Sequence, residues 1–172
     1  HLTNQSATEL ARLIREKKIS SKEVVQAHLD RIDEVNPSIN AVVQIVREEA
    51  LKEAKTADHK LATSGPSGPL HGVPMTIKDS FDTAGVISTA GTMGRKNFRP
   101  KKDATVVARL KAGGAILLGK TNTPEMTFSF HTRNKIYGRT NNPYDVKRSP
   151  GGSSGGAAAI VASCGSPFDI GS

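Results

Sequence analysis

The sequence predicts a mixed α/β fold, with helices at the start and then strands and helices alternating around a largely buried sheet. Three observations carry that expectation. Capping patterns introduce helical periodicity in the first sixty residues, two apolar runs of strand length bracket a helix in the middle, and a glycine-rich turn opens a small apolar helix near the end. At 172 residues the chain is long enough for one domain with a real core.

Taken in order, Ser6-Ala-Thr-Glu9 and Ser20-Ser-Lys-Glu23 both fit the capping box, in which a serine and a glutamate satisfy each other's orphan amides at a helix start. Behind the second box, Val24, Val25, His28, Leu29 and Ile32 recur at helical spacing and form one stripe for burial, with His28 a structural residue on its margin. Ala41 to Val46 reads as a short apolar strand and the charged run from about Arg47 to Leu61 as a helix. Ser64-Gly-Pro-Ser-Gly-Pro69 then breaks regular structure. His71-Gly-Val-Pro-Met-Thr-Ile-Lys78 is strand-like and ends on a lysine. Asp103 is placed to cap a helix over Ala104 to Ala112 carrying Val106, Val107 and Leu110, Gly113-Gly114 ends it, and Ala115 to Leu118 is a buried strand. Beyond Pro124 the chain is rich in turns, and no internal repeat is present.

The formal charge is +8 and unevenly spread: residues 94 to 148 hold 13 Lys and Arg against three Asp and Glu, whereas the first 93 residues are nearly balanced. These cations are scattered among turns, without a basic block or interleaved aromatics, so a solvated or docking face is expected rather than a nucleic-acid site. A single cysteine, Cys164, excludes an internal disulfide and suits a reducing compartment. No apolar run has the length of a membrane span, and the start is too polar for a signal peptide. A chain starting at His1 rather than Met implies that residues are missing before it.

Two stretches carry chemistry. In Arg148-Ser-Pro-Gly-Gly-Ser-Ser-Gly-Gly-Ala157, four glycines flank Ser153 and Ser154, which taken alone fits a flexible linker or a functional turn equally well. The apolar run Ala157 to Ala162 favours the turn, because it puts both hydroxyls at the mouth of a helix, beside unpaired amides and the positive end of its dipole. Lys78, at the end of a strand, can be held where water is scarce, so that its pKa falls and the neutral amine serves as a base. Lys78 with the serine pair is therefore a possible Ser/Lys hydrolytic arrangement. Three other features weigh less. Gly114-Ala-Ile-Leu-Leu-Gly-Lys-Thr121 matches the phosphate-loop pattern letter for letter, but its four middle residues read as a strand preceded by a helix, whereas phosphate binding needs a loop. His131 has no partner carboxylate nearby in sequence and reads as a polar loop residue. Cys164 reads as a packed small hydrophobe.

Four segments, Gly72-Val-Pro-Met-Thr-Ile-Lys-Asp79, Gly119-Lys-Thr-Asn-Thr-Pro-Glu125, Tyr137-Gly-Arg-Thr-Asn-Asn-Pro143 and Ser149-Pro-Gly-Gly-Ser-Ser-Gly-Gly156, resemble in order the motifs of the amidase signature enzymes, which hydrolyse amides with a Ser-Ser-Lys triad. The resemblance covers nearly all of residues 65 to 172. It implies a mixed β-sheet flanked by helices, with residues 1 to 62 a mainly helical lead-in and 63 to 172 the motif-bearing core of one domain. Lys78 would be the base and Ser153 the bridging serine, reached through a cis peptide that Gly152 eases. Ser154 would support the network and Thr127 would contact substrate. No metal or cofactor is implied, a small-molecule amide is the expected partner, and the setting is cytoplasmic.

The family's nucleophile ends a D-I-G-G-S turn that also supplies the oxyanion hole. Asp169-Ile-Gly-Ser172 looks like that turn with one glycine missing, but family spacing puts the nucleophile about five residues beyond Ser172. The resemblance thus implies the N-terminal portion of a longer enzyme, inactive alone, whose partial sheet leaves an apolar edge for further polypeptide or another copy to cover. The rival expectations are the amidotransferase subunit that corrects misacylated tRNA, and a non-catalytic fragment or interaction module. Thr123-Pro-Glu125, where that subunit usually has Met-Asp-Glu, favours a general amidase acting on small, aryl or alkyl amides.

Overall fold

A computed structural model describes residues 1–172. The chain begins with helices α1 (Ala7–Arg15) and α2 (Ser21–Ile39). Before α2 the capping box is complete, with Ser20 Oγ accepting from the Glu23 amide at 3.1 Å and the Glu23 carboxylate accepting from the Ser20 amide at 2.8 Å. Before α1 it is only half formed. Ser6 caps the Glu9 amide at 3.2 Å, but the Glu9 carboxylate turns away to Arg12 at 2.6 Å, where an opposite charge outcompetes a neutral amide.

Strand β1 (Val42–Ile45), helix α3 (Arg47–Thr63), strand β2 (Pro74–Lys78), helix α4 (Thr105–Ala112), strand β3 (Ile116–Thr121), a small hairpin of β4 (Arg133–Asn134) with β5 (Gly138–Arg139), helix α5 (Gly155–Ala162) and strand β6 (Asp169–Ile170) follow. One sheet has the order β1-β3-β2-β6. It is mixed, as β1 runs antiparallel to β3 while β2 is parallel to both β3 and β6. Apolar side chains of α2, α3 and α5 pack on one face around Leu29, Ile32, Ile116, Leu118 and Ile160. On the other face Met75, Ile77 and Leu117 pack against Val107 of α4. Alternation on the two faces requires helices on both sides, and the sheet has them. Its two edges are short: four residues in β1 and two in β6.

The pairing of β2 with β3 is not uniform. Met75 lies opposite Leu117 but Thr76 lies opposite Gly119, so Leu118 is an extra residue in the ladder. A bulge of this kind resets the alternation of side chains between faces. Lys120, opposite Ile77, is thereby directed to the α4 face, and Thr121, opposite Lys78, to the α5 face. At Gly119 the edge strand comes so close that an added Cβ would collide with the Gln44 carbonyl and lie 2.8 Å from Val42 Cγ1.

Two sequence expectations need correction. Asp103 does not cap α4, whose first residue is preceded by Ala104 without any side-chain cap. The Asp103 carboxylate instead accepts from the Ala84 amide at 2.7 Å and from Lys111 Nζ at 3.0 Å, tying the preceding loop to the last turn of the helix. His28 is not marginal but wholly buried, and neither ring nitrogen has a hydrogen-bond partner. The backbone at Cys164 and Gly165 lies near enough to favour the charged ring slightly, yet burial dominates and depresses the pKa to about 4. The unfolded chain therefore binds a proton on His28 below its ordinary value of 6.5, while the folded chain resists it until about 4. Stability should fall as pH drops through this window, by roughly 3 kcal/mol. His28→Leu should flatten the dependence of urea midpoint on pH between 6.5 and 4, and an unchanged slope would show that the ring is protonated in place.

Candidate active site

Lys78 closes β2 and is fully buried, although it is one of the longest side chains in the protein. Its Nζ lies 2.6 Å from Ser153 Oγ, 3.0 Å from the Ser172 carbonyl and 3.0 Å from Ser172 Oγ. No ion pair joins it to a carboxylate within 4.0 Å. Burial pushes the amine below the ordinary lysine range, and the field of Asp169 partly opposes that. A neutral amine keeps one lone pair, to which either neighbouring hydroxyl can donate, Ser153 at 2.6 Å or Ser172 at 3.0 Å.

The serine pair is held by the turn ahead of α5. The Gly152–Ser153 peptide bond is cis. At Gly152 an added Cβ would sit 2.8 Å from the Ser129 carbonyl oxygen and from the Phe130 carbonyl carbon, so any side chain would push the 129–130 segment off the turn. Thr132 Oγ1 donates to the Gly151 carbonyl at 2.9 Å and accepts from the Gly155 amide at 3.0 Å. Thr123 Oγ1 donates to the Ser153 carbonyl at 3.2 Å, and the Gly156 amide donates to the Asn122 carbonyl at 3.2 Å. Ser154 accepts from the Ser172 amide and reaches the Ser172 carbonyl, both at 3.1 Å. These contacts correct the expectation of unpaired amides at the helix mouth, because the first two are already engaged by Thr132 and Asn122. A charge developing at Ser153 would have to find its donors elsewhere.

The loop after Lys78 is fixed from below. Asp79 is buried, and its Oδ2 accepts from the Thr89 amide at 3.1 Å and from the Thr89 hydroxyl. Lys120 is buried too, and its Nζ donates to the Phe81 carbonyl at 2.6 Å and to Thr83 Oγ1 and Ser88 Oγ at 3.0 Å each. Desolvation lowers its pKa to about 8. Lys120 thus stitches a loop, and Ile116 to Thr121 of the phosphate-loop match form a strand between β1 and β2 rather than the loop that phosphate binding needs.

Among the other expected residues, Thr127 ends a short 3-10 turn over Glu125–Thr127 with φ at +65°, on the segment that packs against Gly152, and it does not approach Lys78 or Ser153 by any hydrogen bond. His131 is an exposed loop residue. Cys164 is free and half-buried. Sequence reasoning gave no role to Thr123, Thr132, Lys120 or Asp169. Thr123 and Lys120 stand inside one of the four family-like segments, which was the available signal, while Thr132 and Asp169 are brought to the site by chain crossings that no local pattern announces.

No helix is long and apolar enough to cross a membrane. A family model described as Amidase matches residues 23–172. Human fatty-acid amide hydrolase 2 is 45% identical over 174 residues, a match covering 97% of this chain and 33% of that protein. A glutamyl-tRNA(Gln) amidotransferase subunit from Salinispora arenicola is 44% identical over 171 residues, covering 99% of this chain and 35% of that one. The chain therefore spans about a third of the length of the curated relatives it matches. Among solved structures, a fatty acid amide hydrolase superposes with a TM-score of 0.95 at 30% identity, over 99% of this chain and 30% of that one. A family model matched over most of the chain, relatives 44–45% identical over nearly all of it and a near-complete superposition lead to one assignment: the chain belongs to the amidase signature family.

Proposed function

We propose that the complete protein hydrolyses carboxylic amides to a carboxylate and ammonia or an amine, with Lys78 as the base and Ser153 as the relay of a Ser-Ser-Lys triad. The 2.6 Å contact between a buried, charge-disfavoured lysine and Ser153 is the observation that supports this reading. In the proposed sequence the neutral Lys78 amine takes the Ser153 proton as Ser153 takes that of the nucleophilic serine, whose oxygen bonds to the amide carbon. When the tetrahedral intermediate collapses, the C–N bond breaks and the same relay returns the proton to the leaving nitrogen. Water then enters by the same route and releases the acid. Ser154 holds the Ser172 backbone in place, and family spacing puts the nucleophile about five residues past Ser172. Without that residue, the chain to Ser172 is a triad in part only. The unpaired Cys164 is in keeping with a cytoplasmic setting.

A general amidase is preferred over an amidotransferase subunit. Phe128 and Phe130 are 88% and 85% exposed on the segment lying against Gly152, and apolar side chains so close to the serine turn favour an aryl or alkyl substituent over a glutamine side chain. Given an aryl amide, a short alkyl amide and L-glutamine in parallel, the complete protein should show a kcat/KM at least about tenfold higher for one of the simple amides, read as released ammonia. A preference for glutamine would assign it to the amidotransferase class, and turnover of none of them would leave the non-catalytic reading.

A further inference from the structure

Asp169 is a carboxylate in an unusual place. It lies on the edge strand β6 opposite Thr76, two residues before Lys78 on β2, so Asp169, Thr76 and Lys78 share one face of the sheet. Thr121, opposite Lys78 on β3, completes that face and donates to Asp169 Oδ2 at 3.0 Å. Asp169 Oδ1 is buried and makes no hydrogen bond of good geometry; the Thr76 hydroxyl across the ladder is likewise without a well-formed bond, yet lies near enough to favour the ionised carboxyl. Asp169 forms no ion pair within 4.0 Å. A half-satisfied buried carboxylate is costly for packing alone, where a small apolar residue would serve better.

We propose that Asp169 is a positioning residue that sets the protonation of Lys78, its negative charge holding part of the lysine population as ammonium and so fixing the acid edge of catalysis. This rests on the amidase reading above. Among the charged groups of the chain Asp169 is the one whose field acts on Lys78. The charged groups whose field reaches Asp169 are few: Lys120 from β3 and Lys78 from β2, of which Lys78 shares its face, while α5 contributes no titratable side chain. Lys120 lies on the opposite face, where it answers also to Asp79, Asp82 and Arg95. Burial lifts Asp169 itself to about 6. Below that value the carboxyl is neutral and Lys78 loses the charge that favours its ammonium form. Above it Asp169 is ionised and the lysine needs a higher pH to become a base.

The test is the pH profile of kcat/KM in the complete protein, whose acid limb reports the free enzyme's base. Asp169→Asn should move that limb down by about one pH unit, the low end of what an opposite charge does to a neighbouring titratable group. Asp169→Ala, which leaves no amide to form new bonds, should move it equally, because the cause is the lost charge. Asp82→Asn, which removes a charge felt by Lys120 and not by Lys78, should leave the limb in place. A limb that stays within about 0.2 units in a folded, active Asp169 variant, or that moves for Asn and not for Ala, overturns the proposal while leaving the triad standing. Full activity of Lys78→Ala would instead overturn the triad and this proposal with it.

Discussion

Lys78→Ala in the complete protein is expected to lower amide kcat by about a thousandfold or more, within the range that a positioned general base contributes. The argument is geometric. Ser153 Oγ has one basic nitrogen within reach, at 2.6 Å; His131 is exposed on its loop, His28 is buried in α2, and neither hydrogen-bonds Ser153. Lys78→Arg should fare little better. Guanidinium keeps its proton at any pH the fold survives, and its planar fork does not fit a fully buried slot shaped for a linear amine. Circular dichroism and thermal melting should show that Lys78→Ala folds, since it removes a buried amine and its hydrogen bonds to Ser153 and Ser172 without leaving a buried charge behind. Near-normal turnover in either variant would remove Lys78 from the mechanism.

Much of this site was legible because its signals are local. Strand-ending Lys78 announces itself by five apolar or small residues before a cation, and the turn at Ser153 by glycines followed at once by a helix-forming run. The helix–strand reading of Ala104 to Leu118 also held, because Gly113-Gly114 marks the helix end and Gly114 takes up φ of +93°. What escaped is whatever depends on register or on chain crossings. Simple alternation along β3 would place Leu118 and Lys120 on one face, and only the extra residue at Leu118 sends Lys120 to the α4 side. The Gly-Lys-Thr letters that imitate a phosphate loop have a separate cause: Gly119 admits the Gln44 carbonyl, Lys120 stitches the 81–88 loop and Thr121 donates to Asp169. Asp103 was misread because a residue next to a helix start resembles a cap, and only the fold shows that the Ala84 amide and Lys111 reach it first. The helix mouth was misread for a similar reason, since Thr132, over twenty residues upstream, closes the amide that the local sequence leaves open.

Fluorophosphonate labelling should distinguish the two serines that compete for the role of nucleophile. Ser172 has geometry in its favour, as its Oγ lies 3.0 Å from Lys78 Nζ and Asp169-Ile-Gly-Ser172 imitates the nucleophilic turn. Against it, both its amide and its carbonyl are engaged by Ser154, at 3.1 Å each, so this backbone is tied to the serine pair rather than arched to present a hydroxyl with free amides behind it. An attacking serine needs such amides at the position its oxyanion will occupy. Labelling of the complete protein is therefore expected at a single serine past residue 172. Ser153→Ala should slow labelling and amide turnover by about a hundredfold or more, through loss of the proton path to Lys78, without changing the labelled residue. Ser154→Ala should cost less, on the order of tenfold, because it loosens the Ser172 backbone and leaves the proton path whole. Stoichiometric label on Ser172 would place the nucleophile in the Asp169–Ser172 turn and make Lys78 its direct base.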